Sequence, residues 1–197
     1  MKRIGIVGEN PDNDSKPIKI VLEKECKNKK VHFFILLKKL RGSKLDGSNG
    51  KPSAKAIRTL QKESKDYNLD FVIYIRDLDA SPSDKKLIQL KQDWFKVFDS
   101  EAANGKGVFL LNIYELEALI LADIEAFNQL YQVNIAFKGN PMFQAEPKEW
   151  LKGKTEKSPK RQYLEAHALK IFEELNPEKL KNHPQYHQFV QQLTEQL

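Results

Sequence analysis

Asp77-Leu78-Asp79 stands where an apolar run, Leu69-Asp70-Phe71-Val72-Ile73-Tyr74-Ile75, gives way to charge at Arg76. On extended backbone, side chains two residues apart share a side and lie about 6–7 Å apart along the chain. Two hard carboxylates at that spacing can share or flank a divalent cation such as Mg2+ or Mn2+. Glu9 follows another short apolar run, Arg3-Ile4-Gly5-Ile6-Val7. If both runs are parallel strands, Glu9, Asp77 and Asp79 leave the sheet at the same carboxyl edge, where open α/β sheets bind ligands. Acids gathered there repel one another unless a cation joins them or one of them takes up a proton. Asp is equally a turn and helix-cap residue, and a helical pattern follows Ser81-Pro82. Alone, the pair divides evenly between the two readings, and Glu9 tips it toward metal.

More acids lie nearby in sequence. Glu115 and Glu117 follow a fourth apolar run, Val108 to Ile113. On a helix Glu117 has Ile113, Ile120 and Leu121 as neighbours and so needs a partner, whereas Glu115 suits a helix first turn. Asp12 and Asp14, in the loop after Glu9, are candidates for a further ligand, with solvated loop acids as the plainer reading. A Gly- and Ser-rich basic loop, Lys38 to Lys51, is expected to be long and mobile, and its Lys38, Lys39, Arg41 and Lys44 could guide a phosphate backbone. Lys160, Arg161 and His167, close to Tyr163, could offer cations and a donor to phosphate, although a solvated helix face is the commoner use of such residues.

The elements that must position these residues alternate. Strands are expected at 3–7, 31–36, 69–75 and 108–113, and helices at 18–26, 53–67, 84–103 and 114–122. That order predicts an α/β fold with a mostly parallel, Rossmann-like sheet of about four strands and helices on both faces. Residues 131–197 contain no strand pattern and weak helices near 162–175 and 186–193. They read as a helical extension packed on the α/β domain of residues 1–130. The pair His183 and His187, flanking Pro184, reads as a surface turn.

Composition narrows the class. The chain has 197 residues, 33 Lys and Arg against 27 Asp and Glu, a net charge of +6, and 40% hydrophobic residues, which excludes disorder and fibrous repeats. Residues 70–125 hold eleven acids against six bases, so an acidic segment sits inside a basic protein. That distribution suits an enzyme holding cations at its centre and polyphosphate at its periphery, and it equally suits scattered solvated helix faces. A single cysteine, Cys26, excludes an intrachain disulfide and a multi-cysteine zinc site. The apolar stretch Ile4 to Val7 meets Glu9 too soon for a signal peptide and no run is long enough to span a membrane, so a cytoplasmic protein is expected. Gly153-Lys154-Thr155 is not a phosphate loop, because Lys148 stands where that motif needs Gly. Gly5 and Gly8 are too few for a dinucleotide fingerprint.

The loop Gly8-Glu9, the segment Phe71 to Asp79, the segment Glu115-Leu116-Glu117-Ala118-Leu119-Ile120-Leu121-Ala122-Asp123, and the tail stretches Glu146 to Glu149 and Tyr163 to His167 together resemble the Toprim (topoisomerase–primase) domain of OLD-family nucleases. They look still more like a bacterial family of small Toprim-like proteins often encoded beside OLD- or SMC-type ATPases. The resemblance implies a Mg2+- or Mn2+-dependent nuclease with Asp77 and Asp79 as metal ligands, Glu9 binding metal or handling protons, and Glu117 in support. It departs from the pattern at Asn10, where many Toprim domains have Gly. It also implies DNA or RNA as substrate, an ATPase partner and a role in phage defence. A non-catalytic module that binds nucleic acid or a partner, and a phosphoryl transferase acting on a small molecule, are the competing classes. The sequence leaves a homo-oligomer open.

Overall fold

A computed structural model describes residues 1–197. Four strands, β1 (Lys2–Val7), β2 (Val31–Ile35), β3 (Phe71–Asp77) and β4 (Val108–Asn112), form one parallel sheet in the order β2-β1-β3-β4. The inner strand β3 is buried over Phe71 to Arg76, as expected where helices cover both faces of a parallel sheet. The crossovers are α1 (Lys16–Glu25), α2 (Ala54–Asp66) and α3 (Lys85–Ala102). After β4 come α4 (Ala118–Ala122), α5 (Ile124–Tyr131), α6 (Pro147–Lys154), α7 (Ala168–Glu174), α8 (Pro177–Leu180) and α9 (Pro184–Gln196). No helix is long and apolar enough to cross a membrane.

Two apolar layers sandwich the sheet. On one side Val7, Val72 and Tyr74 pack with Leu60, Trp94 and Phe98 of α2 and α3. On the other, Ile4, Ile6, Ile73 and Leu110 join α1 and a long series from the C-terminal helices, including Leu151, Ile171, Phe172 and Phe189. Residues 131–197 therefore share a continuous core with the sheet. Chain direction across the sheet reverses between β1 and β3, because β2 lies outside β1 and β4 outside β3. In open α/β sheets the crevice beyond the carboxyl ends at such a reversal is where ligands sit.

Several local expectations are corrected. The helix expected from Tyr114 starts only at Ala118, because Tyr114 takes a left-handed turn (φ 62°) to leave the strand. Asp79 is left-handed too (φ 55°), and its N–H donates to the Tyr114 carbonyl at 3.0 Å, so the exits of β3 and β4 are tied together. The loop after Lys38 is anchored: Leu40 and Leu45 are buried, the Gly42 N–H donates to the Glu9 carbonyl, and Asp46 accepts two bonds from Arg76 at 2.9 and 3.1 Å. The chain after Glu9 coils into a π-turn, Pro11–Ser15, capped by the Asn10 side chain. His183 is fully buried and caps α9 by accepting from the Tyr186 N–H, so the surface turn expected there is absent. Helix α6, unforeseen in a Lys-rich stretch, starts on Pro147 and buries Leu151.

Candidate active site at the carboxyl edge of the sheet

Asp77 is the last residue of β3 and is half-buried, its Oδ1 accepting from the Asn112 amide of β4 at 2.9 Å. Burial, reinforced by the charges of Asp14, Glu117 and Asp79, holds its carboxyl well above the usual carboxylate range. Asp14 reaches the same rim from the π-turn, where the Asn10 N–H donates to its Oδ2 at 2.6 Å. Burial is again the main cause, and the charges of Glu9, Glu117 and Glu165 add to it, so its pKa is pushed up to about 7 despite the Asn10 bond. Close approach allows this placement: a Cβ on Gly8 would lie 2.8 Å from both the Asp14 Cβ and the Ser15 Oγ.

Glu117 completes the group from the turn before α4 and is 8% exposed. Burial raises its pKa, opposed in part by the charge of Lys148 and by the hydroxyl of Tyr163, which donates to Oε1 at 3.0 Å. Tyr163 is itself fully buried. Replacing it with Phe leaves a buried carboxylate oxygen without its donor, which costs about 1–3 kcal/mol. Tyr163→Phe should accordingly lower the urea midpoint with an unchanged slope, which equilibrium unfolding checks.

The other acids are differently placed. Glu9 lies on the rim, but its Oε1 is engaged by Arg76 Nε at 2.5 Å and Lys91 Nζ at 3.5 Å. Arg76 is buried against the Trp94 ring, 4.4 Å from its centroid, and also holds Asp46. Asp79 is exposed. Asp12 faces away, bonded to Lys16 at 2.6 Å and Arg41 at 2.5 Å, which lower its pKa. Of the two loop acids, then, Asp14 and not Asp12 joins the cluster. Glu115 accepts from the Lys148 N–H at 3.2 Å and pairs with its Nζ at 3.4 Å, and Lys148 also reaches Glu165 at 3.7 Å.

No Lys, Arg or His stands within 4.0 Å of the carboxylates of Asp14, Asp77, Asp79 or Glu117. As they are placed, no three His, Cys, Asp or Glu side chains are grouped closely enough to hold a metal ion.

Of the basic residues, Lys38, Lys39, Arg41 and Lys44 are exposed, and the Arg41–Asp12 pair sets their loop beside the π-turn carrying Asp14. Lys160 and Arg161 are exposed, with Arg161 5.9 Å above the Tyr131 ring. His167 is tied down: its Nδ1 meets the Tyr131 hydroxyl at 2.8 Å and accepts from the Leu164 N–H at 3.2 Å. Partial burial, with the charges of Arg161 and Lys170, keeps its pKa low, so it is neutral near pH 7.

A sequence model of one protein family matches residues 14–194. The chain belongs to that family, the domain of unknown function DUF4276. No curated protein and no solved structure matches the chain. The DUF4276 span contains Asp14, Asp77, Glu117, Lys148 and Tyr163, while Glu9 and Asp12 precede it. Lys148, Tyr163 and Glu165, which surround the acids, come from the C-terminal extension. Only the tail stretches Glu146 to Glu149 and Tyr163 to His167 marked them in the sequence.

Proposed function

We propose that this chain hydrolyses phosphodiester bonds in DNA or RNA with Mg2+ or Mn2+ at the carboxyl edge of the sheet. The observation that carries the reading is that Asp14, Asp77 and Glu117, from three separate segments at the reversal point of the sheet, lie near enough for their charges to raise one another's pKa, with no cation paired to any of them. The donor set fits in kind, since only hard carboxylate oxygens are present and their repulsion is what a doubly charged ion offsets. Asp77 and Asp79 would hold the ion with Glu117 in support. When bound, it would polarise the phosphoryl oxygens and acidify water.

The chain's own groups account for the remaining roles. Asp14 Oδ1 is free while Oδ2 is tied to Asn10, so it can take the proton of the attacking water near neutral pH. Lys148 sits beside Glu115 and Glu165, close enough to the acids to influence Glu117. Arg76 and Lys91, gathered by Glu9, add positive charge at the rim, and Lys38, Lys39 and Lys44 would draw in the nucleic-acid backbone. The resemblance to Toprim nucleases supports the same assignment, and it alone supports an OLD- or SMC-type ATPase partner and a part in phage defence.

Purified protein with 1–10 mM Mn2+ is expected to nick plasmid DNA or degrade RNA, and chelation should stop it. Cleavage that survives EDTA would contradict the reading. A second reading, nucleic-acid binding without turnover, is favoured by the acids standing apart as placed. It predicts retention of nucleic acid without divalent cation and no cleavage with it.

A further inference from the structure

The sheet ends at β4, an edge flanked by α3 and α9 whose own strand carries none of the usual protections. Soluble proteins blunt edge strands with charge, proline or a bulge. Val108-Phe109-Leu110-Leu111-Asn112 contains no charge or proline, and its pairing with Ile73 to Asp77 is one-to-one, without a bulge. Alternate residues of a parallel strand bond to a given neighbour. The Leu78 N–H donates to the Asn112 carbonyl at 2.8 Å, so Val108, Leu110 and Asn112 face β3, and the N–H and C=O of Phe109 and Leu111 point outward.

Those outward groups open into a groove of about 460 Å³ walled by α3 and α9. Its lining states what it would accept. Gln92 from α3 and Gln185, Gln188 and Gln192 from α9 supply amides, each able to donate to and accept from a main chain. The Oε1 of Gln185, one of these lining residues, is buried and accepts no hydrogen bond from the chain. Phe95 and Phe109, stacked 4.8 Å apart, provide an apolar seat. Lys96, held only loosely by Asp93 at 3.9 Å, is the one charged lining residue, which favours an acid on the occupant.

We infer that this groove receives an extended segment of a partner polypeptide as a fifth strand of the sheet, seating an apolar side chain on Phe95 and Phe109 and an acidic one toward Lys96. Main-chain bonds supply affinity in such strand addition and alternate side chains supply specificity. A second copy of this chain is a poor occupant. Its own β4 is flanked by the same two helices, whereas a free extended segment brings no helices of its own to the groove. The inference is independent of the proposed nuclease activity.

The test uses the full chain and a fluorescein-labelled hexapeptide that alternates valine and threonine and carries a glutamate near one end, followed by anisotropy. Saturable binding is expected, weakened about tenfold when alternate peptide nitrogens are methylated, since each methyl removes one main-chain donor. Leu111→Pro removes the outward N–H at a position not bonded to β3 and should weaken binding similarly. Gln185→Leu, which leaves the backbone untouched, should also weaken it and guards against misfolding of the proline variant. Absence of saturable binding up to millimolar protein, or equal binding of the methylated peptide, overturns the inference. So does a concentration-dependent dimer in sedimentation that Gln185→Leu abolishes, because a second copy would then be the occupant.

Discussion

Asp77→Asn is expected to abolish metal-dependent cleavage while making the protein more stable. Loss of a cation ligand removes several kcal/mol of transition-state stabilisation, about a thousandfold or more in rate. Stability moves the other way because the Asp77 carboxyl, at the end of β3, is buried beside Asp14, Glu117 and Asp79. Asparagine keeps an Oδ1 to accept from Asn112 and carries no charge. Each kcal/mol of relief is worth about 2–4 °C in a chain of this size, so the thermal midpoint at pH 7 should rise by a few degrees. The linkage has a definite sign. A carboxyl whose folded pKa is raised binds more protons folded than unfolded between its ordinary value and the raised one, so stability falls as pH rises through that interval. For Asp14 the interval runs from 3.8 to about 7. The wild-type midpoint should therefore be higher at pH 5 than at pH 7.5, and the gap should shrink in Asp77→Asn. A nuclease assay and thermal melts of the two proteins across that range check both halves.

The second large effect concerns Asp14. If its Oδ1 takes the proton of the attacking water, activity requires the ionised form and falls as pH drops through about 7, or through a lower value where a bound cation favours the carboxylate. Below that limb the rate should decline about tenfold per pH unit. Asp14→Asn should cut the rate by about a hundredfold or more and remove the limb. Asp12→Asn, in the same turn but bonded to Lys16 and Arg41, should leave the profile in place. A profile of kcat against pH for the three proteins decides between them.

Strand order, the parallel sheet and the two covering layers were legible because apolar runs alternating with helical periodicity leave few topologies open. The arrival of Asp77 at the carboxyl edge followed from that topology. The other members of the cluster depended on backbone detail that periodicity does not encode. Asp14 reaches the rim through a five-residue π-turn set by the Asn10 cap and the room at Gly8, whereas its neighbour Asp12 is turned to solvent by the same turn. Glu9, plausible as a ligand from its place after β1, is engaged by Arg76, whose guanidinium is fixed by Trp94 and Asp46 from distant stretches. Glu117 reads in the sequence as a carboxylate needing a partner, but Tyr163 lies 46 residues away on a segment with no strong pattern. The helix begins late after β4 because Tyr114 adopts a left-handed conformation that tertiary contacts impose on a bulky residue.

The proposed hydrolysis depends on a cation seating among carboxylates that are partly protonated without it. Calorimetric titration of the metal-free protein with Mn2+ near pH 6.5, repeated in buffers of different ionisation enthalpy, measures binding and proton release together. The prediction is saturable binding with net release of protons, lost in Asp77→Asn and retained in Asp12→Asn. Absence of binding at millimolar Mn2+, or binding with no proton release that survives Asp77→Asn, would contradict it.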